Sequence, residues 1–389
     1  MNVLFLGAAG QMAQPALQIL AHNSAISQLT MADRRLDSVP DITLSNSAKA
    51  QKVILDVQDQ HALMEQMEGK SLVINTTGPY YLLAETIVRC AVESRCNYVD
   101  ICDDWEPTKE LLKLDNWAKD EGVSVLLGAG ASPGITNLLA RKAADQLDSV
   151  RKLYTGWSIH SDSDITAHEI RSVAQAQQVP AAIIHWMQQI SGKIQVWSNG
   201  QLHQTQPLKS YVFQYPGGGK IQGWSVGHPE AITLPRRYQD VQECANLMVD
   251  VGNKILLLKA LSLLIKLRTL NTLSAARLMK TLAKLVLPFV QLNDDDTTSL
   301  PKSMPALFAW AEGKLNGESQ QIAYGFQPEK DLTMAELTSI PLACFAELFL
   351  AGSPQKTGVI TPEELEVNQA FFDKLSTRLN CSSAGLQSI

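Results

Sequence analysis

The chain lacks the residue patterns that usually mark a metal site or a hydrolase. Its six cysteines, Cys90, Cys96, Cys102, Cys244, Cys344 and Cys381, form no C-x-x-C pair and have no histidine at zinc-site spacing; no metal site is expected, and the thiols read as reduced packing residues. A G-x-S-x-G turn is missing too, which removes the nucleophile elbow of the α/β-hydrolases. Long apolar runs are absent: even in the most apolar region, charge-free stretches such as Ala260 to Ile265 fall far short of the roughly 20 residues that span a bilayer, so no transmembrane span is expected. Excess positive charge is absent as well. A formal net charge of -6 gives no global field for a nucleic-acid partner, and none is expected. No basic segment with a free-standing apolar core precedes the first strand, which makes a cytoplasmic location the expectation. No internal repeat is evident.

What is present supports packed cores. Of 389 residues 45% are hydrophobic and 19% charged, and this length exceeds what one core usually serves, so two domains are expected. The apolar run Met1 to Leu6 ends in Gly7-Ala8-Ala9-Gly10-Gln11-Met12-Ala13, followed by helix-forming residues. Strand, glycine-rich turn and helix in that order make a dinucleotide site. Gly7 makes the tight turn, Gly10, Gln11 and Met12 bring backbone amides to a pyrophosphate, and the small Ala13 lets the helix pack on the strand. Asp33 closes a second apolar stretch at the place where an acid meets the adenosine ribose of NAD. Arg34 and Arg35 follow, and a guanidinium there can hold the 2′-phosphate of NADP. NAD or NADP is the expected cofactor.

The β/α rhythm continues through Lys52–Leu55, Leu72–Asn75 and Tyr98–Cys102, with helices between, which means a parallel sheet. Asp56 stands at a strand end, where it either reaches an adenine amino group or serves as an ordinary cap. The loop Asn75-Thr76-Thr77-Gly78-Pro79-Tyr80 opens at the same edge and suits the nicotinamide ribose. Asp100, Asp103 and Tyr98 are the candidates for proton transfer, burial or a neighbouring acid being needed to lift a carboxyl toward neutrality. Their alternative role is capping the helix expected near Pro107. The Gly128–Asn137 stretch is where the chain leaves the nucleotide domain.

Four segments in order, the Gly-x-x-Gly-x-x-Ala opening, the Asn75–Tyr80 loop, Tyr98-Val99-Asp100 and Ser132-Pro133-Gly134-Ile135-Thr136-Asn137, resemble those of the saccharopine dehydrogenase family. That group includes saccharopine reductases, lysine 6-dehydrogenase and carboxynorspermidine dehydrogenase. The likeness covers Met1 to about Ala140, and Gly358–Glu364 followed by Phe371-Phe372 is similar to the family's C-terminal helix. It implies an α/β fold: a Rossmann-type doubly wound parallel sheet (residues 1–130), a second, mixed α/β substrate and dimerisation domain inserted over 131–352, and a C-terminal segment, 353–389, returning to the first domain. It also implies NAD(P)-dependent oxidation or formation of a C–N bond in an opine-like or diamine-derived substrate bearing amino-acid carboxylates, by a homodimer. Lysine 6-dehydrogenase-type deamination and a non-catalytic NAD(P) sensor are the alternatives. Saccharopine reductases carry an acid just before the Pro-Gly, where this chain has Ser132, which points away from saccharopine itself.

Tyr80, Ser132, Pro133, Gly134, Arg171, His228 and Arg236 are the candidate substrate contacts; an arginine turned into the cleft would hold a carboxylate bidentately. Residues 252 to 294 are distinct. Seven lysines and arginines punctuate leucines there, and no acid occurs between Asp250 and Asp294. This reads as a basic helical hairpin that either covers the substrate domain or forms a dimer contact, or else docks peripherally on a membrane or partner.

Overall fold

The computed structural model describes residues 1–45, 49–158, 179, 181–217, 219–252, 254–286, 304–329, 332–352 and 356–381. Arg171, with its neighbours His168 and Glu169, lies outside them, as does the acid-rich stretch 293–299.

The described residues divide into two compact units, 1–138 with 334–381, and 139–333. The first is a parallel sheet of seven strands: β1 (Asn2–Leu6), β2 (Gln28–Asp33), β3 (Lys49–Ile54), β4 (Leu72–Asn75), β5 (Asn97–Asp100), β6 (Ser124–Leu126) and, from the far end of the chain, one at Gly358–Ile360. Their order is β3-β2-β1-β4-β5-β6 followed by Gly358–Ile360. Val3 to Leu6 are fully buried, as a central strand covered on both faces requires. Helix α1 (Gln14–Leu20) has a proline in its first turn, where no N–H is lost, and α2 (Gln60–Met67) is capped by Asp59, whose side chain accepts the N–H of Ala62 at 3.1 Å.

Register decides what meets at the carboxyl edge. Leu6 aligns with Ala32 on one side and Asn75 on the other, and Asn75 aligns with Asp100. The chain reverses direction across the sheet between β1 and β4, the switch point where doubly wound sheets bind ligands. The Gly7 turn, Asp33, Thr76 and the acids after β5 are therefore neighbours despite their distance in sequence.

The first unit recovers the chain at Met334, inside the span 131–352 expected for the substrate domain. The reason is the helix Met334–Leu350: its residues from Ser339 to Leu350, Leu348 excepted, are buried, so it belongs to a core and not to a linker. The helix Gln369–Arg378 is tied to it by Glu347, which receives both terminal nitrogens of Arg378 at 2.8 and 2.9 Å and Lys374 at 3.1 Å. The segment Gly358–Glu364 is a strand and a 3-10 turn, and the helix follows it.

The second unit is a mixed sheet in the order β10-β11-β12-β7-β13-β14, comprising Ser210–Tyr215, Gly219–Val226, Glu243–Val249, Ser149–Ser158, Leu307–Leu315 and Glu318–Phe326; a hairpin of Ile194–Ser198 (β8) and Gln201–Thr205 (β9) joins β12. Much of the chain's small aromatic content gathers on one of its faces. Tyr154 stacks on Trp310 with ring centres 5.1 Å apart, and Phe213 and Phe308 complete the cluster. The other face carries Met248 and Val226 under helix Ala181–Gln189 and the basic hairpin, Lys254–Lys266 and Thr272–Val286.

Candidate active site

The carboxyl edge of the first unit is built on two aspartates used alike. Asp33, at the end of β2, accepts the N–H of Arg35 at 3.0 Å and that of Ala9, in the glycine-rich turn, at 3.1 Å. Asp100, at the end of β5, accepts the N–H of Cys102 at 3.1 Å and that of Gly128, beyond β6, at 2.8 Å. Each carboxylate fixes its own turn and a neighbouring loop.

Around Asp33 the edge is open. Gly7 has φ +78°, and a Cβ there would stand 2.9 Å from Thr76 main chain and hydroxyl. Only glycine lets the turn lie against the end of β4. The Thr76 hydroxyl donates back to Leu6 and Gly7 carbonyls at 3.0 and 3.2 Å, which closes that seam. Gly10 donates to Gly7 O and Ala13 to Gly10 O, whereas the Gln11 and Met12 amides carry no bond among the described residues. The buried Thr77 hydroxyl also has no partner there. A tight glycine turn, two uncommitted amides at a helix entrance and an orphaned hydroxyl fit a dinucleotide. Ala13 is fully buried against the sheet. Arg34 and Arg35 are exposed beside Asp33. Asp56 is exposed and accepts Gln58 N–H at 3.0 Å, the local turn of a strand-end cap.

Around Asp100 the edge is closed. Its second oxygen accepts the Tyr98 hydroxyl at 2.9 Å, Tyr98 in turn accepts Asn75 Nδ2 at 2.8 Å, and all three side chains are fully buried. Burial pushes the Asp100 carboxyl up to about 6, against the Gly128 and Cys102 amides and the Tyr98 hydroxyl, which pull it down; Asp103 adds a smaller upward push. Tyr98 is raised by burial and by the Asp100 charge. Tyr80 is raised by the same two causes, and its hydroxyl turns inward to Asn75 O at 3.1 Å. Neither tyrosine hydroxyl is presented to the edge. Asp103 is the partly exposed acid of the group. Asp104 stands at the N-cap of Trp105–Leu111 without a side-chain cap bond to it.

The peptides before Pro79 and Pro133 are both cis. Gly134 has φ +129°, and a Cβ on it would fall 1.9 Å from Gly130 O, so the loop beyond Gly128 closes on itself with Pro133 and Gly134 buried and Ser132 partly exposed. Asn137 receives Gly134 N–H at 2.8 Å and donates to the buried Glu363 at 2.8 Å. Neither Asn75 nor Glu363 was singled out by sequence reasoning. A polar residue ending the apolar run Leu72-Val73-Ile74 was the available signal for the first; nothing local marks the second.

In the second unit His228 and Arg236 lie at opposite ends of the helix Glu230–Arg237. Arg236 is exposed. His228 is buried: its Nε2 faces Gln189 Nε2 at 2.8 Å, its Nδ1 lies 3.5 Å from Glu230 Oε2, and its ring leans on Trp157 at 4.7 Å. The amide donor at Nε2 places the proton on Nδ1. Asn246 donates to Glu230 at 2.9 Å and to Thr155 at 3.0 Å, completing a buried polar network.

Among the described residues no group of three or more acids, histidines and cysteines is placed to hold a metal ion, and no helix is long and apolar enough to cross a membrane. The family model for the saccharopine dehydrogenase NADP binding domain matches residues 3–126, and that for the saccharopine dehydrogenase C-terminal domain matches residues 130–380. A lipid droplet localized protein of Caenorhabditis elegans is 33% identical over 98 residues, spanning 24% of this chain and only 22% of that protein. The carboxynorspermidine synthase of Vibrio cholerae is 22% identical over 416 residues, covering 94% of this chain and 92% of that one. Among solved structures, apo saccharopine dehydrogenase (L-Glu forming) from Saccharomyces cerevisiae shares the fold with a TM-score of 0.60 at 15% identity, over 100% of this chain and 98% of that one.

Proposed function

The chain belongs to the saccharopine dehydrogenase family of NAD(P)-dependent oxidoreductases on amino-acid-like or diamine-derived molecules, and from that premise we propose that it makes or breaks a C–N bond in an opine-like substrate. The observation that supports this most is the near full-length match to a carboxynorspermidine synthase, joined to an open dinucleotide edge beside a partly exposed acid. The Gln11 and Met12 amides hold the pyrophosphate, in a turn that Gly7, Gly10 and Ala13 shape. Asp33 keeps lone pairs for the ribose hydroxyls while it braces the turn, and Arg34 takes the 2′-phosphate when NADP is used. Thr76, Thr77, Gly78 and Pro79 line the nicotinamide end. When bound, the nicotinamide supplies the electron-pair acceptor or donor for the carbon bearing nitrogen.

Asp103 accepts the amine proton, since it is the acid of the strand-end group that is partly exposed, whereas Asp100 and Asp104 are buried. Asp100 and Tyr98 act as positioning residues: burial and a complete set of hydrogen bonds keep them from the substrate, and they fix the turn from which Asp103 projects. Ser132, the partly exposed residue of its loop, stands on the substrate side. The test is reduced-nicotinamide absorbance with NAD or NADP against amino acids, diamines, saccharopine and related opines. Turnover of an opine or diamine condensation product, lost in Asp103→Asn but not in the nucleotide affinity of that variant, is the expected result. Nucleotide binding without turnover of any C–N substrate overturns the reaction class, and no nucleotide binding overturns the site.

A further inference from the structure

The hairpin Lys254–Lys266 and Thr272–Val286 is two-faced. Inward, Leu258, Leu261, Ala275 and Ala276 are buried against the second unit's sheet. Outward, Leu256, Leu263, Leu267 and Leu285 stand 69%, 53%, 64% and 63% exposed. Positions 256 and 263, seven apart, share one face of the first helix, and Leu267 follows just beyond its end; Leu278 and Leu285, seven apart, share one face of the second, an exposed leucine stripe on each. Single exposed leucines are ordinary, but a set of them on two consecutive helices is a surface that something covers.

Charge says what. Lys266, Arg268, Arg277 and Lys284 are exposed around the stripe, and no acid occurs from residue 251 to 293 in a chain whose net charge is -6. At the turn, Arg268, Thr269, Asn271, Thr272 and Ser274 line an open depression of about 450 Å³, a cation and three hydroxyls around one concavity. We propose that this face docks on an anionic lipid surface, the leucines entering the headgroup–acyl boundary and the lysines and arginines reaching up to lipid phosphates. A second copy of the chain is a poor occupant, because a two-fold interface on this face sets cations against cations. Nucleic acid would use the cations and leave the leucines in water. Among the described residues no helix is long enough to span, so the contact is peripheral.

The experiment is flotation of the full-length protein with vesicles of phosphatidylcholine alone and of phosphatidylcholine mixed about two to one with phosphatidylglycerol. The expected result is flotation with the mixed vesicles only, released when salt rises from about 0.1 to about 1 M as screening shortens. Leu256→Glu with Leu263→Glu lowers partitioning roughly ten-fold or more, and Lys266→Ala or Arg277→Ala about five-fold each, with thermal stability and dinucleotide affinity unchanged. Absence of flotation on anionic vesicles overturns the proposal, as does flotation indifferent to the leucine pair. A concentration-dependent dimer in analytical ultracentrifugation that the leucine substitutions dissolve also overturns it, by assigning the face to a second copy. None of these outcomes depends on the reaction proposed above.

Discussion

The two ends of the nucleotide-side edge use one device and reach opposite results. Asp33 and Asp100 each close a strand, accept the amide two residues on, and reach across to a second loop. At Asp33 the carboxylate is half exposed and the neighbouring amides of Gln11 and Met12 are uncommitted. At Asp100 a tyrosine fills the remaining direction and burial is complete. An acid at a strand end is therefore a ligand contact or a structural clamp according to whether anything seals its last lone pairs.

Glycine substitutions should break the comparison most severely. Gly134→Ala sets a Cβ 1.9 Å from a carbonyl oxygen at φ +129°, and a loss above about 4 kcal/mol, or no folded protein, is expected in urea denaturation. Gly7→Ala, with closest approaches of 2.9 Å, should cost about 2 kcal/mol and also abolish dinucleotide binding by calorimetry. The aspartates come next. Asp100→Ala strands two buried amides and a hydroxyl, an expected loss of about 3 kcal/mol, whereas Asp33→Ala should lose about 1 kcal/mol and weaken dinucleotide binding roughly ten-fold or more.

The Asp100 clamp also carries a pH response. Asp100 sits at about 6 in the fold against 3.8 as its ordinary value, so the native state holds its proton where the unfolded chain has released it. Relative to Asp100→Asn, the wild type should be at its most stable below about pH 4, lose that advantage as pH rises toward about 6, and stay level above. Chemical denaturation of both proteins across that range checks the sign. Tyr98→Phe removes a donor that lowers the Asp100 carboxyl; it should cost about 1 to 2 kcal/mol and move the pH step upward. The smallest effect is at Arg34→Ala, within about 0.5 kcal/mol in stability, with binding of NADP weakened and binding of NAD unchanged.

The Asp33 half was legible in the sequence because everything that makes it is local: a strand, a glycine turn and an acid at a fixed distance. The Asp100 half was legible only as a row of acids. Mutual repulsion among Asp100, Asp103 and Asp104 was one expected way of lifting a carboxyl, yet burial does most of it, and the Gly128 amide, 28 residues on, pulls the other way. The end of the inserted unit was misplaced for a similar reason. Met334–Leu350 is apolar on nearly all sides, and such a helix suits either core until its neighbours are known. The hairpin's basic, acid-free character could be counted from the sequence; which leucines face outward could not, because helical spacing alone permits several faces.

The strand Gly358–Ile360 borders β6, pairing Gly358 with Ser124 and Ile360 with Leu126. A chain emerging from the ribosome thus presents six strands of this sheet with β6 as a bare edge, and must make the whole intervening unit before the last strand and Glu363 arrive. For that interval the Asn137 amide awaits its buried carboxylate. Maturation of the nucleotide side waits on the synthesis of residues 358–363, and a truncation after residue 333 would leave a sheet open to pairing with another chain.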